Sequence, residues 1–230
     1  MKRLSFILLF TFVWQLHAQR SDFETISFRK ADNNAVMLKG EELTNLPQLA
    51  FKLTENLGTD VERFRAIYYW VCHNIKSDYN LMMRNEWKRK KFKNDSLQLA
   101  QWNETFNVEV LNKLISEKRT LCTGYTYIIQ LLANMVGIEC EMVYGYGKTG
   151  NISLENMDYV NHSWNAVKLN DKWYLCDPTW SSGFIDPTFI FHFNYNDDYF
   201  LMDPKDFAVG HLPLDPSWSL IDTMADTNEH

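Results

Sequence analysis

The order of apolar and polar positions divides the chain into a helical first part and a strand-rich second part. From Thr44 to Leu57, apolar residues fall at Leu46, Leu49, Phe51, Leu53 and Leu57, with Gly58 as a stop, which predicts a helix. Thr59-Asp60 caps the next helix. Its apolar set, Val61, Phe64, Ile67, Tyr68, Val71 and Ile75, recurs at three and four residues and makes one buried face. Cys72 lies on this helix and is expected to pack. Phe106 to Glu117 predicts a further helix, with Lys118-Arg119 near its negative end. The segment Thr120-Leu121-Cys122-Thr123-Gly124 then leads into an apolar helix from Tyr125 to Met135, closed by Gly137.

Beyond Gly137 the period changes. Ile138 to Tyr146 alternates as a strand does, and Gly145, Gly147 and Gly150 mark a turn. Asn151 to Tyr159 reads as a loop. Val160 to Leu169 and Trp173 to Asp177 read as strands joined at Asn170-Asp171, a hairpin signal. Phe189, Phe191 and Phe193 alternate as another strand, and Asp203-Pro204 opens a short helix. Two stretches are weakly patterned. Arg20 to Gly40 is polar and expected to strap along the surface. Ser77 to Thr105 holds a basic run, Lys88-Arg89-Lys90-Lys91, flanked by Trp87 and Phe92. Such a run can bind phosphate or an acidic partner, but is more often a solvated face. Helices followed by an antiparallel sheet packed on the central helix make an α+β fold.

Composition narrows the class. The chain has 230 residues, 46% hydrophobic and 23% charged, an ordinary globular balance with room for one sizeable domain. A net charge of −6 argues against a nucleic-acid partner. Aromatics reach 15%, enough to furnish a core or groove with polar handles.

The first residues form a pattern of their own. Lys2 and Arg3 precede an apolar run from Leu4 to Trp14, and Ala18 offers a small residue before a cut. Residues 1–18 are expected to be a cleavable signal peptide, 19–58 a strap and helix, and 59–230 the principal domain with a C-terminal extension. The expected location is secreted or periplasmic, with no transmembrane segment in the mature chain. Export permits disulfides, and Cys140 and Cys176 both lie in expected strands, but spacing does not decide between a bridge and buried thiols.

Three residues carry the candidate chemistry. Cys122 stands at the start of the central helix, where unpaired N–H groups and the helix dipole favour a thiolate and a nearby oxyanion. His162 and Asp177 fall on the consecutive strands of the expected hairpin, near enough in register that one bulge or a longer turn would align them. A carboxylate there accepts from one imidazole nitrogen and leaves the other for the thiol. Gly124 is expected to leave room for a substrate, and Tyr125, Trp164, Asn165 and Trp180 are the other groove candidates. Zinc is the competing chemistry for Cys122, His162, Cys176 and Asp177. Cys176 and Asp177 point to opposite faces of a strand, so no metal site and no cofactor are assigned. His211, in Gly210-His211-Leu212-Pro213, can approach the groove, with a structural role under the C-terminal strap as the default reading.

These residues resemble the transglutaminase-like superfamily in three ordered blocks: Cys-x-Gly-Tyr at 122–125, His-x-Trp-Asn at 162–165 and Asp-Pro-Thr-Trp at 177–180. Arg65-Ala66-Ile67-Tyr68-Tyr69-Trp70-Val71 is similar to that family's leading helix. Tyr199-Phe200-Leu201 and the stretch from His211 to Trp218 resemble an extension of its kyphoscoliosis-peptidase-like branch. The resemblance implies a papain-like core with Cys122 as nucleophile, His162 as base and Asp177 as orienter. Thr123 departs from the Gln, Glu or Arg frequent at that slot. No side-chain oxyanion donor is assigned; Trp102 and Asn103 lie upstream as the places to look, with core packing expected for Trp102. The family implies acyl transfer on a peptide, protein or glycopeptide substrate. Hydrolysis, as a peptidase or amidase, is favoured over protein-glutamine amine transfer, because no calcium-binding spacing is present. A non-catalytic module binding peptide or glycan in the same groove is the other class.

Overall fold

The computed structural model describes residues 20–148 and 157–221. The expected signal peptide, and most of the loop expected from Asn151 to Tyr159, lie outside the described residues.

The first part is helical. Helix α1 (Arg29–Met37) occupies the stretch expected to be a polar strap. Its apolar side is thin, yet Ala31 and Ala35 are buried, as is Phe23 in the preceding turn. Small residues let it lie close against α3, a contact that hydrophobic periodicity does not register. Helix α2 (Leu46–Thr54) starts at Asn45, whose side chain accepts from the Gln48 N–H. It stops before Gly58, the chain turning at Asn56 with φ 60°, and Phe51 faces solvent. Helix α3 (Asp60–Asn74) opens with a reciprocal capping box between Thr59 and Glu62. Val61, Phe64, Ile67, Tyr68, Val71 and Ile75 are all buried, as the spacing predicts. Arg65, also buried, pairs with Asp32 of α1 and with Asp197, and its guanidinium lies over the Phe200 ring.

The least patterned stretch, Ser77 to Thr105, is nearly all helix. After the short β1 (Lys76–Ser77), Asp78 caps α4 (Tyr79–Phe92) and Asp95 caps α5 (Ser96–Glu117). Thus α5 begins well before Phe106. Both helices are largely exposed, so their polar faces mask the period. Lys118, in the left-handed region at φ 51°, ends α5. It turns the chain into β2 (Arg119–Thr120), which pairs in parallel with β1. That pairing delivers Leu121 as the N-cap of α6 (Cys122–Met135).

The second part is a four-stranded antiparallel sheet in the order β5-β4-β3-β8. It comprises β3 (Cys140–Gly147), β4 (His162–Leu169), β5 (Lys172–Cys176) and, from far along the chain, β8 (His211–Pro213). Asn170 and Asp171 both have positive φ, 50° and 63°, and close a two-residue hairpin in which Leu169 faces Lys172. Between β5 and β8 run α7 (Pro178–Ser182), a small hairpin of β6 (Gly183–Ile185) and β7 (Phe191–Phe193), and α8 (Pro204–Phe207). Phe189, expected in that strand, sits in its turn at φ 67°.

Alternation splits the sheet into two packed faces. Cys140, Val167, Leu169, Tyr174 and Cys176 join the main core built on α3 and α6. Val143, Trp164, Ala166 and Leu175 pack on the other side against Phe207, with Trp218 and Leu220 at its margin. The C-terminal segment therefore covers the face that the helices leave open. Asn165 stitches sheet to helix, its Nδ2 donating to the Thr126 carbonyl at 3.0 Å. No described helix is long and apolar enough to cross a membrane.

Candidate active site

Cys122 is the first residue of α6, half-buried, in a cleft shared with Met82, Glu86, Arg89, His162 and Trp180. Leu121 cannot cap with its side chain, so the opening N–H groups of the helix lack that partner. The carbonyl of Leu121 already accepts from Gly124 and Tyr125, which starts the helical ladder one residue before the thiol.

His162 begins β4 and is 8% exposed. Its Nε2 donates to Asp177 Oδ2 at 2.7 Å. Neither a bulge nor a longer turn brings them together. Asn165 pairs with Cys176, so continued pairing would set Trp164 opposite Asp177. Instead the chain leaves the sheet at Cys176, and Asp177 turns inward as the N-cap of α7, where the diagonally placed imidazole reaches it. Gly147, across from the ring, is obligatory: a Cβ there would lie 2.9 Å from three carbons of His162. Trp180 stacks on the ring at 5.2 Å between centroids.

The buried Asp177 carboxylate is saturated. Oδ1 accepts the N–H groups of Thr179 (2.8 Å) and Trp180 (3.1 Å); Oδ2 accepts from His162 and from His211 Nε2 at 3.0 Å. Burial alone would raise its pKa, but the charge and hydrogen bond of His162, helped by His211, hold it well below the usual carboxylate range. Burial likewise pulls His162 down, and the Asp177 charge and hydrogen bond outweigh it; with the contribution of Cys122, its pKa stands at about 10. The Cys122 thiol is pushed up by burial and brought below its ordinary value by the His162 ring, with smaller help from Ser163 and Arg89. Since Nε2 is committed to Asp177, the Nδ1 edge is the one left for the thiol. The three shifts together favour a thiolate–imidazolium pair at neutral pH.

The structure brings Cys122, His162 and Asp177 together. It separates most of the groove candidates from the cleft. Gly124 faces Thr120, where an added Cβ would meet Oγ1 at 1.8 Å, so its small size serves helix packing and not substrate access. Tyr125 is fully buried, its hydroxyl donating to the Ile75 carbonyl at 2.7 Å. Trp164 is buried between Phe207 and His211, and Asn165 is spent on Thr126. Trp180 alone of the five lines the cleft. Trp102 donates to Asn85 Oδ1 and stacks on Phe106, holding α5 to α4.

Two participants lie outside the expected catalytic set: His211, which the sequence allowed to approach the groove, and helix α4. His211, 2% exposed, stacks on Phe207 and shares Asp177 with His162. Its signal, a single histidine far beyond the three blocks, is too slight to place. Helix α4 supplies a cleft wall through Met82, Glu86 and Arg89, from a stretch with little amphipathic pattern. Ligand atoms of His162, Asp177 and His211 lie within 4.8 Å of one another, the one such trio among the described residues. Each imidazole Nε2 is engaged by the carboxylate, so the donor atoms a metal needs are already hydrogen-bonded to each other. The described cysteines are free thiols: Cys72, Cys140 and Cys176 are buried and unbridged.

A thiol at the head of a helix, an imidazole at a strand's edge and a capping carboxylate, set on an α+β core, define a papain-like fold with a Cys–His–Asp constellation. The chain belongs to the transglutaminase-like superfamily, whose model matches residues 47–178. Kyphoscoliosis peptidase of Homo sapiens is 32% identical over 200 residues, 84% of this chain and 27% of that protein. Hillarin of Drosophila melanogaster is 21% identical over 213 residues, 86% of this chain and 23% of that protein. The chain thus spans about a quarter of the length of these relatives. Among solved structures, one described as a crystal structure of a TGase is 15% identical, with a TM-score of 0.43 over 83% of this chain and 39% of its own.

Proposed function

We propose that the chain is an exported cysteine hydrolase, a peptidase or amidase that works through a thioester acyl-enzyme. The observation that carries this reading is the His162 ring, set between the Asp177 carboxylate and the Cys122 thiol with its pKa raised to about 10. The name of the human relative, a peptidase, supports the same class.

In the proposed reaction, Cys122 Sγ attacks the substrate carbonyl carbon as thiolate, and the carbonyl π electrons move to oxygen. The N–H groups at the head of α6 receive that oxyanion. As it collapses, the C–N bond breaks, and imidazolium Nδ1–H of His162 protonates the departing amine. Water then attacks the thioester, giving its proton to His162, and the thiolate leaves with the acid as product. Asp177 keeps Nε2 protonated and the ring oriented; it does not itself take the proton. Trp180 covers one face of the ring, and Asp177 occupies its Nε2 edge.

The deciding experiment compares wild type with Cys122→Ala on a peptide and glycopeptide library, with and without an added amine. Hydrolysis is expected in wild type and absent in the variant, which should melt like wild type. Equal turnover in the variant would end the reading. Incorporation of the amine in preference to water would make the chain an amine transferase, and binding without turnover would make it a recognition module. Export is tested by the mass of the protein recovered outside the cytoplasm, expected to begin near Gln19.

A further inference from the structure

The basic run on α4 divides in the folded chain. The Lys88 ammonium lies 5.0 Å from the Trp102 ring centroid, and Lys91 stands over Trp87 and Phe92, so both are held on aromatic faces. Lys90 is exposed. Arg89 turns the other way. It lines the Cys122 cleft and also an adjoining cavity walled by Asn103, Thr123, Tyr144 and Tyr146.

Arg89 is held but not neutralised. Its Nη1 donates to the Val160 carbonyl at 3.0 Å, which fixes the guanidinium, while its buried Nε has no acceptor. Among the described residues no carboxylate lies within ion-pairing distance of it. Arg20, Arg63, Arg65, Arg84 and Arg119, by contrast, each meet one. Two acidic side chains share these walls without pairing with it. Asp158, in the adjoining cavity, pairs with Lys93, and Glu86, on the wall of the same cleft, accepts from the Tyr159 hydroxyl at 3.1 Å and makes no ion pair with Arg89. An arginine oriented by one hydrogen bond, with donors and charge unspent, matches the planar two-oxygen geometry of a carboxylate.

We propose that Arg89 is the anion anchor of this cleft and selects substrates that carry a carboxylate beside the carbonyl presented to Cys122. The carboxylate belongs to an Asp or Glu side chain or to a free peptide C-terminus. This rests on the hydrolase reading for what becomes of the substrate, not for its binding. Arg89 and Cys122 line the same cleft, and the Arg89 charge adds a small share, after His162 and Ser163, to holding the thiol low.

The test needs no turnover. Cys122 is alkylated with iodoacetate, which carries a carboxylate, and with neutral iodoacetamide, and the modified Cys122 peptide is quantified by mass spectrometry. The ratio of the two rates is expected to fall about tenfold in Arg89→Gln and to persist in Arg89→Lys. An unchanged ratio in a folded Arg89→Gln would overturn the proposal. If that variant does not fold, wild type decides. Glutarate should slow iodoacetamide alkylation while glutaramide does not, and equal protection by both, or by neither, would overturn it. Paired peptides with Glu against Gln, and free against amidated C-termini, then distinguish the two sources of the carboxylate. If the iodoacetate preference depends on Arg89 but no peptide is cleaved, the anchor stands and the hydrolase reading falls.

Discussion

His211 Nε2 lies 3.0 Å from Asp177 Oδ2, the same oxygen that accepts from His162. Its other nitrogen, Nδ1, is 3.0 Å from the Phe207 carbonyl. Burial lowers the pKa of His211 against the opposing hydrogen bonds and charge of Asp177 and the Phe207 carbonyl; in the neutral form the ring donates through one nitrogen only. The charge-assisted bond to Asp177 is the stronger choice.

Replacing His211 should therefore be felt at the carboxylate. In His211→Leu, Asp177 keeps three of its four hydrogen bonds but loses a buried donor, at a cost of about 1–3 kcal/mol in urea unfolding. With one fewer donor on Asp177, the carboxylate is a better acceptor for His162, and the alkaline limit of turnover should move upward. A purely structural role would lower stability and leave that limit in place; His211→Gln, which can donate, should restore it toward wild type.

The pH dependence separates thiol from ring. Alkylation of Cys122 by iodoacetamide should fall only on the acid side, as the thiolate is protonated below its lowered pKa. Hydrolysis should fall on both sides, and on the alkaline side near pH 10, where His162 loses the proton needed by the leaving amine. Stability follows the sign of each shift. The folded pKa of His162 lies above its unfolded value of about 6.5, so its contribution is whole below that pH and is lost as pH rises toward 10. That of Asp177 lies below its unfolded value of about 3.9, so its contribution is lost as pH falls beneath it. In Cys122→Ala, where no thiolate competes, the urea midpoint should decline above about pH 6.5. Adding His162→Gln should flatten that decline; an unchanged slope would refute the linkage.

At Gly124 the obstacle is steric. Ala at this position would drive its Cβ into Thr120, at a cost of about 1–3 kcal/mol or more in thermal or urea unfolding. Thr120→Ala should rescue only part, since the Thr120 Cβ itself stands 2.9 Å from the added atom. Full rescue, or no loss at all, would show that α6 can move off β2.

The legible parts of the fold were those where one side of an element is buried. Val61 through Ile75 repeat at helical spacing because α3 is pressed on one face, and Asn170-Asp171 announced a tight turn because both positions need positive φ. Helices α4 and α5 stayed hidden for the converse reason: much of their surface is solvated, and their caps, Asp78 and Asp95, sit among other polar residues. Helix α1 stayed hidden because alanine packs closely without adding to hydrophobic contrast. At the site, Cys122, His162 and Asp177 could be named from local sequence. The path by which Asp177 reaches the ring, off the sheet and onto a helix cap, depends on where β5 ends. His211 and Arg89 arrive from elements whose approach only tertiary structure reveals.

One further consequence follows from the thiols. Cys72, Cys140 and Cys176 are sealed in the core, and burial pushes each of their pKa values upward; Cys122 alone opens onto a cleft and is shifted down. The native protein thus carries a single responsive sulfur and needs no cysteine-free background for labelling. A fluorophore or crosslinker delivered through that atom would report occupancy of the cleft in an unmodified sample, and loss of such selectivity would signal that the core had opened.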